Sequence, residues 1–233
     1  MHQHRAVALE HQHPRRHRQV GSQPPGVVNL AAGNDQSHEA PIYSEPMAPH
    51  RTTEELVDFL PTLDDAPKDR GTLRLLVRRP TLNQREVLTE GELDLSVGLV
   101  GDNWSTRGSR STPDGSADPQ AQLNIMGYAM VEFLAQDPSR EPLAGDQMYF
   151  DLDLSHDNLP AGSRVAIGSQ AVIEVTEKPH TGCAKFIERF GAEAMKFVNG
   201  THGRPRRLRG LCARVVVAGV VRVGDEVVVL SRP

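Results

Sequence analysis

Beyond residue 50, apolar residues fall in short runs cut by Gly, Pro, Asp and Asn. Thr52 offers an N-cap and Glu55 its capping-box partner, which predicts a short helix through about Leu60, stopped by Pro61. From Thr72 to Arg79, Leu73, Leu75 and Val77 alternate with Arg74, Leu76 and Arg78; apart from Leu76 this is strand patterning, ended by Pro80. Val87-Leu88 and Gly91 to Val100 suggest two more short strands, and Trp104 to Gln120, rich in Ser, Pro, Asp and Gly, a loop. Gln122 to Met126 and Gln147 to Leu152 are strand candidates around Tyr128 to Gln136, where Met130, Phe133 and Leu134 have helical spacing. Asp153 to Pro160 is a turn-rich linker. Arg164 to Ile167 and Ala171 to Thr176 flank Gly168-Ser169 as a hairpin. Lys185 to Val198 is helical, with Phe186, Phe190, Ala194 and Phe197 on one face; Leu211 to Val217, Val220 to Arg222 and Glu226 to Leu230 form a closing β-rich segment. Strands do not alternate with long helices, so a doubly wound sheet is disfavoured. The pattern predicts a mainly β chain: a small, mostly antiparallel barrel with a few peripheral helices.

Residues 1 to about 50 break this pattern. They hold seven of the ten histidines with scattered Arg, Pro, Gln and Ser, and no apolar periodicity. Such a segment buries too little surface to offset its ordering entropy, so a disordered extension is expected, followed by a short helix and connector over 51–70. A histidine-borne metal site and a true start at Met47 are alternative readings of the stretch. With 233 residues and 4% aromatic content, the chain allows one domain plus extensions, with a core of Val, Leu, Ile and Ala. The net charge of −4 makes no electrostatic case for nucleic acid. Two cysteines cannot build a disulfide framework or a thiolate zinc site alone. No apolar run of about 18 residues and no secretory h-region occur, so a soluble cytoplasmic protein with no membrane partner is expected.

The densest candidate chemistry is Pro179-His180-Thr181-Gly182-Cys183-Ala184-Lys185-Phe186, between a β-like run and a helical one. A thiol there lies beside the first free N–H groups of a helix, and with His180 and Lys185 nearby the setting favours the thiolate, the reactive and metal-binding form. The alternative is a packed, apolar-like cysteine; Gly182, the polar neighbours and the element boundary weigh against it. Cys212, inside a predicted strand, reads as inert. His180 and Cys183 are spaced as a metal half-site without a second half. Arg204, Arg206, Arg207 and Arg209 form either a solvated loop or a cradle for a small anionic, phosphate-bearing ligand. Asp102 and Asp146 look like turn residues that cap their own backbone, and Asp151 and Asp153 are further carboxylates available as acids or bases. A P-loop, a strand-borne G-x-G-x-x-G and a G-x-S-x-G elbow are all missing, which argues against P-loop, Rossmann and serine-hydrolase chemistry.

Several ordered pieces resemble the MOSC domain, named for the C-terminal domain of molybdenum cofactor sulfurases. They are Gly101-Asp102-Asn103-Trp104, Leu143 to Asp146, Asp153-Leu154-Ser155 with Asn158 to Gly162, Ile167-Gly168, His180 to Cys183, Arg209-Gly210, and Gly219 with Val223-Gly224-Asp225. The resemblance spans about Gly71 to Leu230, and is to the short, stand-alone bacterial kind. It implies a β-barrel over 71–233. It also implies that Cys183 is the family's cysteine, either carrying sulfur as a persulfide or contacting molybdenum in a bound molybdopterin cofactor. His180 would tune the thiol. Lys185, Arg206, Arg207 and Arg209 are the cofactor-binding candidates, with Cys183 as metal ligand. A cysteine desulfurase or a molybdoenzyme is the implied partner. The pyridoxal-phosphate domain of the eukaryotic sulfurases has no counterpart here, so no intrinsic pyridoxal phosphate site is expected; the long extra barrel region of the amidoxime-reducing enzymes is missing too. Two alternatives stay open: a molybdenum-dependent reductase of N-hydroxylated compounds, and a non-catalytic β-barrel binding module.

Overall fold

The computed structural model describes residues 49–233. The readings of the histidine-rich stretch and of Met47 lie, but for the last two positions, outside the described residues. Helix α1 (Thr53–Asp64) starts at the expected capping box, with Thr52 Oγ1 accepting from Glu55 N and the Glu55 carboxylate from Thr52 N. It does not stop at Pro61 but runs one turn further. Pro61 removes only the hydrogen bond to the Val57 carbonyl, on an exposed stretch, while Leu63 packs beyond it against a hydrophobic cluster.

Seven strands close a barrel. In sheet order these are β11 (Glu226–Ser231), β7 (Arg164–Ile167), β8 (Ala171–Val175), β9 (Leu211–Val217), β5 (Leu123–Gly127), β6 (Met148–Asp151) and β1 (Arg70–Arg78). β1 closes it by pairing Gly71 with Val227 of β11. β5 and β6 run parallel; the other pairings are antiparallel. β2 (Glu86–Leu88) extends off the far end of β1. The expected strand over Gly91 to Val100 is a hairpin, β3 (Glu90–Asp94) and β4 (Gly98–Leu99), whose turn is held by Asp94 Oδ1 accepting from Ser96 N and Val97 N. β10 (Gly219–Arg222) leaves the barrel to pair with β3, because Val221 with Leu93 and Leu99 then joins the barrel's interior core.

Two apolar clusters sit on the two faces of the barrel wall. Leu73, Leu123, Ile125, Met148, Phe150, Ile173, Leu211 and Val227 fill the interior. Leu75, Val77, Met126 and Tyr149 point outward, under a layer made by α1, α3 (Tyr128–Ala135) and α4 (Ala184–Val198). The wall is therefore buried on both sides there, which explains Leu76. The β1–β6 register slips between Leu73 and Leu75, so Leu73 and Leu76 both reach the interior while Leu75 and Val77 face the helices. α4 docks through Phe186, Phe190, Ala194 and Phe197, as its periodicity predicts, and kinks at Gly191. Burying each phenylalanine contributes roughly 2 kcal/mol. The Trp104–Gln120 loop contains one helical turn, α2 (Trp104–Arg107), and another single turn, α5 (Gly203–Arg206), precedes β9. No helix among the described residues is long and apolar enough to cross a membrane.

Candidate functional site

The ends of β1, β6, β8 and β9 deliver charged groups to one side of the barrel, where burial demands that each be paired. Arg79, just past β1, meets Asp102 in a two-pronged contact: Nε donates to Oδ2 and Nη2 to Oδ1, both at 2.8 Å. Both side chains are buried, and Asp102 also accepts from the backbone N–H of Arg79 and of Trp104. Arg209, before β9, donates from Nη1 to both oxygens of Asp146, at 3.0 and 2.7 Å. Asp146 is fully buried and lies 2.6 Å from Nε2 of His180. Burial pushes the Asp146 carboxyl up, but the charges of Arg209 and His180 and their hydrogen bonds outweigh it and hold it below the usual carboxylate range. For His180, burial and then the Arg209 charge win over Asp146, so its pKa falls below the ordinary value and the ring is neutral at pH 7. Neither aspartate is merely a turn cap: Asp102 does cap Trp104, but both carboxylates are the anionic halves of buried clamps.

The arginine halves of these clamps, Arg79 and Arg209, line a cleft of about 510 Å³. Six cationic side chains line it (Arg79, Arg85, Arg107, Lys185, Arg189 and Arg209), and no carboxylate does among the described residues. Two of the six are in the clamps. Among the described residues the other four reach only neutral partners or none: Lys185 Nζ donates to Asn83 Oδ1, Arg189 to the Leu143 carbonyl and Arg85 to that of Gln84. Burial, then the Arg189 and Arg79 charges, lower the pKa of Arg85; burial and Arg79 do the same to Arg107. Like charges crowd here, and among the described residues Arg85, Arg107, Lys185 and Arg189 form no ion pair that would balance them. Four buried side-chain polar atoms lack a partner among the described residues, and three of them, Arg85 Nε, Arg209 Nε and Asn103 Oδ1, belong to residues that line this cleft.

Cys183 lines the same cleft, exposed, as the N-cap of α4. Its carbonyl accepts from Phe186 N and Ile187 N, while its side chain makes no capping hydrogen bond. The thiol is thus left free. Gly182 permits this backbone path: a Cβ there would fall 2.3 Å from Met195 Sδ in the second half of α4. The Arg209 guanidinium lies 5.0 Å above the Phe186 ring, tying the first turn of α4 to the Asp146 clamp. Cys212 is the opposite case. It is buried beside Asn124, and burial, then the Asp146 charge, push its thiol up to about 12.

Of the residues singled out from the sequence, Cys183, His180, Lys185 and Arg209 come together on the cleft. The arginine cluster disperses. Arg206 pairs with Asp64 at 3.2 Å on the exposed surface, and Arg207 donates to the Leu159 carbonyl, away from the cleft. His180 Nε2 is engaged with Asp146 rather than with the thiol. Asp151 and Asp153 lie outside the cleft. Sequence reading missed Arg79, Arg85, Arg107 and Arg189. Arg79 looked like the end of a strand, and the others sit singly in loops and on a helix. The one available signal was the ordered motif pieces, since Asn103, Gly145, His180, Cys183 and Arg209 all line this one cleft.

The chain is thus a closed β-barrel with an exposed cysteine at the start of a helix, beside a cationic cleft. Residues 119–228 match the family model of the MOSC domain. Among solved structures it resembles a hypothetical protein at 18% identity over 71% of this chain and 70% of that one, with a TM-score of 0.51. It also resembles YiiM from Escherichia coli (18% identity, 70% and 71% covered, TM-score 0.46) and the YuaD protein from Bacillus subtilis (16%, 68% and 94%, TM-score 0.46). Identities this low speak to fold alone. No curated protein matches the chain.

Proposed function

We propose that the cleft holds a phosphate-bearing cofactor of the molybdenum–pterin kind, with Cys183 as its thiolate partner. One observation supports this above all: unpaired cations and partnerless buried polar atoms gather on a single carboxylate-free cleft beside a free thiol. Buried polar groups are normally satisfied, so such a gathering argues for a ligand that satisfies them. Arg85, Arg107 and Arg189 suit a phosphate, which guanidinium forks bind through charge-assisted hydrogen bonds. Arg209 Nε offers a further donor, and Asn103 Oδ1 an acceptor for a ring N–H. The volume suits a ligand of cofactor size. A thiolate is the soft ligand that such a metal prefers. When bound, the group would supply a redox-active soft metal centre. The chain's own part is to neutralise the phosphate, hold the ring and present the Cys183 sulfur.

A second reading is favoured by the exposure of Cys183: sulfur carriage. The Cys183 thiolate attacks the terminal sulfur of a donor persulfide, of the kind made by a cysteine desulfurase. A new S–S bond forms at Cys183, the donor's S–S bond breaks, and the donor leaves as a thiolate, so no oxidant is needed.

Both readings are tested by purifying the full chain from a host that makes the pterin cofactor. Molybdenum, organic phosphate and pterin fluorescence are then measured beside Cys183→Ser and Arg85→Ala. The cofactor reading expects pterin and metal in the parent, loss of metal in Cys183→Ser, and loss of both in Arg85→Ala; a parent free of both sinks it. A persulfide probe that labels Cys212→Ser but not Cys183→Ser supports carriage, and equal labelling of the two variants ends it.

A further inference from the structure

A second chamber of about 290 Å³ lies against the cleft and shares with it His180, Thr181 and Arg209. We propose that this chamber is a separate binding site for a small oxyanion of the phosphate class, read by Arg204, Arg207, His156 and Asn199.

Arg207 is the anchor. Its Nη1 donates to the Leu159 carbonyl at 2.5 Å, which fixes the guanidinium plane and leaves Nε and Nη2 without a partner among the described residues. Its backbone is left-handed, φ 48° and ψ 47°, at the C-cap of α5. Glycine or asparagine fits that conformation best, and a larger side chain costs about 1 kcal/mol. The chain thus carries a guanidinium where glycine would be less strained, which motivates a role for it. Arg204, one turn earlier, lines the same chamber and makes no side-chain hydrogen bond or ion pair among the described residues. His156 faces them. Burial, then the Arg207 charge, lower its pKa, so at neutral pH its ring is uncharged and offers one N–H. Asn199 completes the set: its Oδ1 accepts from Gly182 N, while among the described residues its Nδ2 meets only the sulfur of Met195, a weak acceptor.

Charge on the lining supports the choice of ligand. Glu177 is the one carboxylate there among the described residues, and Lys178 is already paired with Asp118 at 2.9 Å. Among the described residues Arg204 and Arg207 are left as forks without a carboxylate, and such forks match tetrahedral oxyanions. The chamber is smaller than the cleft and suits a compact ligand. The proposal does not depend on what the cleft binds, because the cleft's unpaired cations are on other residues.

The test titrates the full chain with inorganic phosphate and follows the ring resonances of His156 by NMR. The expected result is a saturable shift. Arg204→Ala removes an exposed side chain without partners and weakens the apparent affinity by about tenfold or more. Arg207→Lys keeps a donor for the Leu159 carbonyl but loses the fork, and weakens binding too. Arg70→Ala, which removes a surface charge on β1, leaves the titration unchanged. A His156 signal that does not move overturns the proposal. So does an Arg204→Ala curve that overlays the parent, or an Arg70→Ala curve that weakens equally and reveals unspecific attraction. Acetate shifting His156 at the same concentrations as phosphate overturns the ligand class. A chain that binds phosphate here yet carries no pterin would sink the cofactor reading and leave this one standing.

Discussion

Arg209 grips Asp146 through one nitrogen, Nη1, which reaches both carboxylate oxygens across 63 positions of sequence. Asp146 in turn meets His180, three residues before the thiol. The contact joins the start of β9, the turn before β6 and the approach to α4, so it orders the cleft as a unit. Asp146→Asn would leave the Arg209 charge buried and unpaired. We expect a loss of about 3 kcal/mol, read as a lowered urea midpoint. A variant as stable as the parent would show that the clamp does not hold the fold.

The same residues set a pH dependence. The folded pKa of His180 lies below its ordinary 6.5, and that of Asp146 below its ordinary 3.8. Each therefore binds a proton less readily folded than unfolded. Their contribution is complete above the unfolded values and lost as pH falls through the folded ones. Stability should decline as pH drops from about 6.5, through His180, and further below about 3.8, through Asp146. His180→Gln should shrink the first decline and leave the share that His156 contributes, its pKa being lowered too, which urea midpoints of parent and variant across this range will check. Identical profiles would rule it out.

The two thiols should separate cleanly. Cys183 is exposed and free, whereas Cys212 is buried with its thiol pushed up to about 12. Iodoacetamide followed by mass spectrometry should modify one site in the folded protein. Cys183→Ser should abolish that modification, and Cys212 should react only once denaturant opens the barrel. Folded-state labelling of Cys212 at a comparable rate would contradict the burial argument.

Arg85 is poised against its neighbours. It is half-buried, its Nε lacks a partner among the described residues, and Arg189 and Arg79 repel it. Arg85→Met keeps most of the packing and removes the repulsion, so the ligand-free protein should melt no lower than the parent. Sulfate should raise the melting temperature of the parent more than that of the variant, because the variant has lost a donor for the anion. Equal sulfate shifts would remove Arg85 from the anion site.

Much of the fold was legible because local periodicity carries it. The capping box at Thr52 and Glu55, the phenylalanine face of α4 and the hairpin around Gly168 depend on neighbours two to four residues apart, and each formed as read. Leu76 misled because a bulge in β1 turns successive leucines to opposite faces, a choice made by the β6 partner. Pro61 misled because packing of Leu63 outweighs one lost hydrogen bond.

The site divides along the same line. The sequence by itself determined that a cysteine sits where a strand run gives way to an amphipathic helix, and which short pieces flank it. Only the tertiary structure decided that Arg79 finds Asp102 and Arg209 finds Asp146, and that Arg206 and Arg207 turn away while Arg85, Arg107 and Arg189 turn in. The reason is physical. Secondary structure follows from short-range sterics and apolar spacing, which a chain displays in order. A charge is neutralised by whatever stands a few ångströms away once water has been excluded, and that neighbour is set by how the barrel closes.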